Sequence, residues 1–303
     1  MSSIIFGPIT SRRFGQSLGI DLSPDRKQCN FDCLYCELKG AKTVSEANDA
    51  PSVTAVIQEL QEALKKHRNL DVITLTANGE PTLYPHLKEL VKSLHTIKKE
   101  CKLLILSNGS TILNPDIRTI LSSIDIVKLS LDCVTPLCFK RLDRAHKGIT
   151  IEAIIEGMKE FKKIYQGVLI LEILVVEGIN DTLEEFQALN KVLQVIQPNR
   201  IDVGTIDRPP AYDVRGVSVE RLIALSHHLE NLHVNITYGK QYSVQKRHFS
   251  EEEIIELLKR RPQSFEDVHL CFDEKSQERL HQLLESKRVH IKRVAGVSFY
   301  SCG

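Results

Sequence analysis

Apolar runs and amphipathic segments alternate along most of the chain. Short runs rich in Val, Ile and Leu predict strands buried on both faces, and they lie at 17–22, 72–75, 103–106, 126–131, 168–176, 201–206 and 234–237. Between them, apolar residues recur at helical spacing and predict helices at 53–64, 87–97, 116–121, 151–164, 181–196 and 219–229. This alternation predicts an α/β fold whose parallel sheet is covered by helices, arranged as a partial, open barrel of six β/α units.

The chain from residue 250 onward follows a different pattern. Three short helices, the first opened by the capping box Ser250-x-x-Glu253, precede a predicted hairpin over 289–300. Three helices followed by a hairpin are typical of a winged-helix-like domain. We therefore predict a barrel domain at 1–240 and a small winged-helix-like domain at 241–303.

Three cysteines, Cys29, Cys33 and Cys36, lie within eight residues and have the spacing C-x3-C-x2-C. Thiolates are soft ligands, so this loop predicts either zinc or an iron–sulfur cluster. Three cysteines would hold a 4Fe-4S cube at three corners and leave the fourth iron open to a substrate or cofactor. A structural metal site, by contrast, closes its coordination.

Polar clusters follow several of the predicted strands. They are Asn78–Pro81, Ser107–Gly109, the set Lys128, Ser130 and Asp132, and Glu172 within an otherwise apolar run. Because the carboxyl ends of parallel strands meet at one edge of a sheet, these clusters are expected at the same rim as the cysteine loop. Taken singly, each also fits an ordinary turn, a solvated acid or a satisfied buried acid.

Composition and charge exclude few functions. The 303 residues are 42% hydrophobic and 26% charged, and the net charge of +1 gives no overall attraction to nucleic acid or membrane. The first ten residues do not resemble a secretory signal, and the most apolar stretch, 168–176, is too short to span a bilayer. A cytoplasmic protein without a membrane partner is expected, in which metal binding or reduced thiols are favoured over a disulfide framework.

The other five cysteines, Cys101, Cys133, Cys138, Cys271 and Cys302, lack tight spacing, so no second cluster is predicted. Buried, inert thiols are the default expectation. The alternatives are a substrate or auxiliary role for Cys133, near the expected rim, and simple exposure for Cys302.

Two pairs of charged residues fit two interpretations each. Arg12 and Arg13 are either solvated charges or an anion contact near the cysteine loop. Asp207 and Arg208 are either candidates for substrate contact or a surface turn ahead of two prolines.

The ordered motifs resemble those of radical SAM enzymes. The spacing of Cys29, Cys33 and Cys36 matches the cluster motif of that superfamily, and Tyr35 stands at its usual aromatic position. Asn78–Pro81 resembles the Gly-Gly-Glu-Pro motif, with Asn78 replacing the first glycine. The resemblance covers roughly residues 4–215 and implies a partial barrel of radical SAM type. It also implies cofactor-binding roles for Tyr35, Asn78, Gly79, Glu80, Pro81, Ser107, Asn108, Ser130, Asp132 and Glu172.

The resemblance implies a 4Fe-4S cluster and S-adenosylmethionine as cofactors, with Glu80 holding the amino group of S-adenosylmethionine. The reaction it implies is cleavage of S-adenosylmethionine to a 5′-deoxyadenosyl radical that removes a hydrogen atom from the substrate. An electron donor such as flavodoxin or ferredoxin is the implied partner. The sequence identifies no catalytic acid, base or radical-relay residue.

A narrower resemblance comes from the segments 7–13, 17–21 and 205–210. They are similar to a bacterial and archaeal group of uncharacterised Fe-S oxidoreductases near the wyosine-synthesis enzymes of tRNA modification. Those enzymes carry additional N-terminal cysteines, whereas no cysteine precedes Cys29 here. An RNA substrate is therefore expected first, although not wyosine chemistry itself.

Two other functions remain open from the sequence alone. One is an iron–sulfur or zinc regulator that binds DNA through the C-terminal domain, where basic residues are mixed with acidic ones. The other is a radical SAM activator or modifier of a partner protein, which the sequence does not distinguish from an RNA-modifying enzyme.

Overall fold

The described residues form two sheets, the larger of which has eight strands in sequence order. The computed structural model describes residues 3–11, 13–236, 246–260, 262–294 and 297–302. The strands of the larger sheet are β1 (Ile5–Ser11), β2 (Gly15–Asp21), β3 (Val72–Thr76), β4 (Lys102–Ser107), β5 (Ile126–Ser130), β6 (Val168–Val175), β7 (Arg200–Thr205) and β8 (Val234–Ile236). Strands β2 to β8 run parallel, which confirms the predicted α/β class.

Helices connect the parallel strands. They are α1 (Val53–Lys66), α2 (Leu87–Ile97), α3 (Pro115–Leu121), α4 (Pro136–Leu142), α5 (Ile151–Ile164), α6 (Leu183–Ile196) and α7 (Val219–Ser226). Several begin at a Ser or Thr whose hydroxyl accepts a backbone N–H of the first turn, as at Ser52, Thr150 and Ser218. Each predicted strand is present within two residues of its predicted ends, except that Thr237 lies outside the described residues.

One strand of the larger sheet, β1, and one helix, α4, were not predicted. Strand β1 pairs antiparallel with β2, and an irregularity in their register falls between Phe6 and Ile9, around Gly7-Pro8. A Gly-Pro pair interrupts the strand pattern, so the sequence suggested only an extended segment. Helix α4 is seven residues long and starts at Pro136, too short for a helical repeat to be visible.

The two faces of the sheet have different partners. The helices cover one face and form the large core with residues such as Leu75, Leu129 and Leu171. The other face, called the open face below, carries a small apolar cluster at the amino-terminal ends of the strands, made of Val72, Leu104, Ile126 and Ile170 with Phe14. Polar and charged residues follow on the open face, nearer the carboxyl ends.

The C-terminal part has its own core and its own sheet. Its elements are α8 (Glu251–Arg260), β9 (Gln263–Ser264), α9 (Phe265–Cys271), α10 (Glu274–Glu285), β10 (His290–Val294) and β11 (Val297–Ser301). The strand order is β10-β11-β9. Ser250 and Glu253 exchange hydrogen bonds as the predicted capping box requires. The three helices and the hairpin are therefore present, while the winged-helix assignment and the boundary at residue 240 stay predictions.

Candidate active site at the carboxyl ends of the strands

The cysteine loop follows β2, and its start is tied to the segment that follows β3. The Gln28 N–H donates to the Asn78 carbonyl at 2.9 Å, and the Glu80 N–H donates to the Gln28 carbonyl at 3.0 Å. A Cβ on Gly79 would lie 1.9 Å from the Gln28 carbonyl oxygen, and Gly79 has a φ of +143°. Only glycine tolerates both conditions, so Gly79 sets the distance between the cysteine loop and the end of β3.

The sulfur atoms of the loop receive N–H groups from their surroundings. The Phe31 backbone and the Asn108 side chain donate to Cys29 Sγ at 3.4 and 3.8 Å, and the Lys27 ammonium lies 3.6 Å from Cys36 Sγ. N–H donors favour the thiolate, which is the form of cysteine that binds metal. Three half-buried thiols, of which Cys29 and Cys36 have such donors, fit a soft metal or an iron–sulfur cluster.

Burial and neighbouring acids oppose free thiolates in this loop. Burial, and then the charge of Glu80, raises the pKa of Cys29 to about 12. Burial, and then Asp143, raises the pKa of Cys33 well above its ordinary value, and Cys33 Sγ donates to Asp143 Oδ1 at 3.7 Å. Metal binding at these cysteines must therefore release protons.

Glu80 is buried, and all of its hydrogen bonds to the protein come from neutral donors. Its Oε1 accepts the N–H and the hydroxyl of Thr82, at 2.9 and 2.6 Å, and the hydroxyl of Ser107 at 2.7 Å. Its Oε2 accepts the Asn108 N–H at 2.7 Å. Burial raises the pKa of Glu80, and these four hydrogen bonds counteract that rise. The carboxylate joins the segment after β3 to the segment after β4.

Pro81 and Asn108 extend the link between the segments that follow β3 and β4. Pro81 opens a 3-10 helix, Pro81–Leu83, for which Glu80 is the N-cap. The Asn108 side chain donates to Asn30 Oδ1 at 2.9 Å as well as to Cys29. The predicted set of Gly79, Glu80, Ser107 and Asn108 therefore forms one hydrogen-bonded group with the cysteine loop.

Tyr35 and Asp132 form a second contact between the loop and the sheet. The Tyr35 hydroxyl donates to Asp132 Oδ2 at 2.5 Å, and the Leu174 N–H donates to Asp132 Oδ1 at 2.7 Å. Burial raises the pKa of Asp132 to about 7 despite these bonds. Both residues were predicted from the sequence, and the structure places them in direct contact.

Glu172 lies on the open face, where it is held by cations. Its Oε1 accepts the Lys128 ammonium at 2.5 Å and the Arg13 guanidinium at 2.6 Å. Burial alone would raise the pKa of Glu172, but Lys128 and Arg13 outweigh it and lower the pKa to about 2. Asp202 on β7 lies 3.5 Å from Lys128 and 3.4 Å from Arg13. Ser130 is the register partner of Glu172 on β5.

The interpretation of Arg13 as a solvated charge is wrong, because its guanidinium pairs with Glu172 and Asp202. A contact of Arg13 with an anion near the cysteine loop stays a prediction. Arg12 lies outside the described residues.

The segment after β7 contacts the cysteine loop. The Ala211 N–H donates to the Cys36 carbonyl at 2.8 Å, and Arg208 pairs with Glu37 at 3.1 Å. The Tyr212 hydroxyl donates to Asp32 Oδ2 at 2.6 Å. Arg208, for which the sequence left both a substrate contact and a surface turn open, is thus paired with the loop. Sequence reasoning missed the site positions Lys27, Asp32, Asp143, Arg144 and Tyr212, and only Asp32, an acid inside the cysteine motif, gave a signal.

Cys133 and Cys138 form a disulfide, which corrects the expectation of reduced, inert thiols at these positions. Cys133 follows Asp132, and Cys138 lies in α4, so the turn between them brings the two Cα atoms to 5.6 Å. The buried carboxylate of Glu185 accepts the N–H groups of Val134 and Thr135 in that turn. The missed helix α4 explains the missed disulfide, because without a turn the spacing carries no information.

A family model described as the Radical SAM superfamily matches residues 27–189. The chain belongs to the radical SAM superfamily, which is a family of enzymes. It is 40% identical over 301 residues to a UPF0026 protein of Helicobacter pylori strain J99, covering 98% of this chain and 97% of that protein.

Two solved structures share the fold at low sequence identity. A radical SAM methyltransferase from Sphaerobacter thermophilus matches with a TM-score of 0.58 at 15% identity, over 74% of this chain and 67% of that chain. Streptococcus suis SuiB bound to S-adenosylmethionine matches with a TM-score of 0.54 at 17% identity, over 70% of this chain and 49% of that chain. SuiB has also been solved with its precursor peptide SuiA. The eight-stranded, mostly parallel sheet is therefore that of radical SAM enzymes.

Within the described ranges, none of the helices combines the length and the apolar character needed to cross a bilayer.

Proposed function

We propose that Cys29, Cys33 and Cys36 hold a 4Fe-4S cluster with which the enzyme cleaves S-adenosylmethionine. The cluster would supply the electron for that cleavage, which yields a 5′-deoxyadenosyl radical. The observation that carries the proposal is the hydrogen-bonded group linking the cysteine loop to Glu80 and Asn108 at one rim of the sheet. A zinc or iron–sulfur regulator has no need of this group, and the family is enzymatic.

Different residues are assigned to the metal and to S-adenosylmethionine. The three thiols hold the metal core. Glu80 is assigned to the amino group of S-adenosylmethionine, because its Oε2 accepts one protein hydrogen bond and a carboxylate oxygen can accept two. The backbone of Asn78 and Gly79 and the half-buried Ser130 are the further groups assigned to S-adenosylmethionine. Tyr35 and Asp132 hold the far side of the cysteine loop against the sheet.

The test is anaerobic reconstitution with iron and sulfide, followed by addition of a reductant and S-adenosylmethionine. The expected result is 5′-deoxyadenosine from the native chain and none from Cys33→Ala, with Cys101→Ala as the matched control. Cys101 is a cysteine outside the loop. A native chain that binds iron but makes no 5′-deoxyadenosine contradicts the proposal.

We infer that the substrate is an RNA. The support is the C-terminal part, where Lys292 and Arg293 lie on β10 at the edge of the three-stranded sheet. A peptide is the second candidate, since SuiB, which shares the fold, has been solved with a precursor peptide. Comparing the modified nucleosides of a deletion strain and its parent separates the two. A lost nucleoside supports RNA, and unchanged nucleosides favour the peptide. The electron donor and the cytoplasmic location stay predictions.

A further inference from the structure

Lys27 is an almost buried lysine that has no part in the function proposed above. Its side chain is 8% exposed. Its ammonium lies 3.6 Å from Cys36 Sγ and 3.7 Å from Asp32 Oδ1. Burying an ammonium costs free energy unless opposite charge or an acceptor compensates. Here the two compensating groups are a carboxylate and the sulfur of a proposed cluster ligand.

Asp32 is held by two other segments of the chain. Its Oδ2 accepts the Tyr212 hydroxyl at 2.6 Å and pairs with the Arg144 guanidinium at 3.1 Å. The Arg144 guanidinium also lies 4.7 Å from the centre of the Tyr212 ring. Asp32 Oδ1 is buried, lies 3.7 Å from the Lys27 ammonium and accepts no hydrogen bond from the residues that the structure describes. The carboxylate and the ammonium are therefore fixed charges of opposite sign beside the cysteine loop.

We infer that Lys27 and Asp32 set the reduction potential of the cluster in opposite directions, with Lys27 raising it and Asp32 lowering it. The inference rests on the proposed function, because it requires a cluster at Cys36. Reduction adds a negative charge to a cluster, so a positive charge near a ligand sulfur stabilises the reduced state and a negative charge destabilises it. A hydrogen bond to the sulfur acts in the same direction as the ammonium charge.

The test is a redox titration of the reconstituted full-length chain, followed by electron paramagnetic resonance of the reduced cluster. Lys27→Gln should lower the midpoint potential, and Asp32→Asn, which keeps the shape of the side chain, should raise it. Lys27→Arg keeps the charge and should restore the native potential. Arg26→Gln is the matched control, because Arg26 is the neighbouring residue, is 60% exposed and pairs with Asp49; its potential should equal the native value.

Iron and sulfide content distinguishes the two possible failures. A native chain that assembles no cluster contradicts the proposed function. Variants with full cluster content whose potentials are unchanged, or shift in the same direction, overturn the role of the two charges. If a variant at 27 or 32 loses the cluster, the Arg144→Gln variant tests the inference instead. This substitution removes a positive charge beside Asp32 and should lower the midpoint potential. An unchanged or higher potential overturns the inference.

Discussion

Glu80, in the segment after β3, and Glu172, on β6, are both partly or fully buried carboxylates, yet the protein holds them by different means. Glu80 accepts hydrogen bonds from neutral donors, and its pKa is raised. Glu172 accepts from an ammonium and a guanidinium, and its pKa is lowered to about 2. Glu80 is held by neutral donors beside the cysteine loop, whereas Glu172 shares Lys128 and Arg13 with Asp202 on the open face. The protein therefore separates the positioning of Glu80 from the pairing of buried charge on the open face.

The largest effect is expected from removing the ammonium that Glu172 and Asp202 share. Lys128→Met leaves two acids with less positive charge, and removing one partner of a buried pair costs about 3–5 kcal/mol of unfolding free energy. Urea unfolding measures this loss of unfolding free energy. Lys65→Met, which removes the exposed partner of Glu62, is the control and should cause no measurable loss. Equal stability of the two variants would contradict the description of Glu172 as an acid held by charge.

The pH dependence of stability should distinguish the two acids next. The folded-state pKa of Glu172 is depressed from 4.5 to about 2, so its contribution is present above pH 4.5 and is lost as the pH falls towards 2. The contribution is at most about 3 kcal/mol. Glu172→Gln should therefore lose less stability than the native chain over this range, as followed by chemical unfolding at each pH. If the unfolding free energies of the two proteins fell in parallel with pH, Glu172 would not be the source of this pH dependence.

Glu80→Gln should cost about 1–3 kcal/mol, because the amide turns one acceptor into a donor facing the protein's own donors. Production of 5′-deoxyadenosine should fall with it, since the cysteine loop shares these hydrogen bonds. Glu89→Gln, on the exposed face of α2, is the control for both measurements. Full activity in the Glu80 variant would show that its hydrogen bonds do not position the loop.

The smallest effect is expected from deleting a single donor to Glu80. Ser107→Ala removes one of three hydrogen bonds to Oε1 and should lower the unfolding free energy by about 0.5–1.5 kcal/mol. Ser123→Ala removes an exposed hydroxyl and should change less. A loss in the Ser107 variant as large as that of Glu80→Gln would mean that one donor, rather than the group of four, stabilises the carboxylate.

The predicted strands and helices follow from patterns that tertiary contacts reinforce. Strands β3 and β5 are buried at four of their five positions, so their apolar runs are easy to recognise. Strand β1 is a partly buried edge strand interrupted by Gly7-Pro8, and nothing local distinguishes it from a loop. Helix α4 depends on contacts with the core through Phe139 and Leu142, which a seven-residue window does not reveal.

The sequence predicts those parts of the site that depend on the order of the strands and on residue type. Parallel strands bring their carboxyl ends together, so the proximity of Glu80, Asn108 and Asp132 to the cysteine loop follows from the fold class. Pairings between distant segments do not follow from it. Arg13 reaches Glu172 across 159 positions, and Tyr212 reaches Asp32 across 180. No local pattern encodes such pairs, because their partners are chosen only when the sheet assembles.

The contact between Ala211 and Cys36 has a consequence for biosynthesis. The cysteines are made early, but the backbone that closes over them comes after β7, some 175 residues later in the chain. During synthesis from the N-terminus, the loop stays without this contact until those further residues have been made. We therefore expect the proposed cluster to be inserted after translation of the sheet, when the later segment can close the site around it.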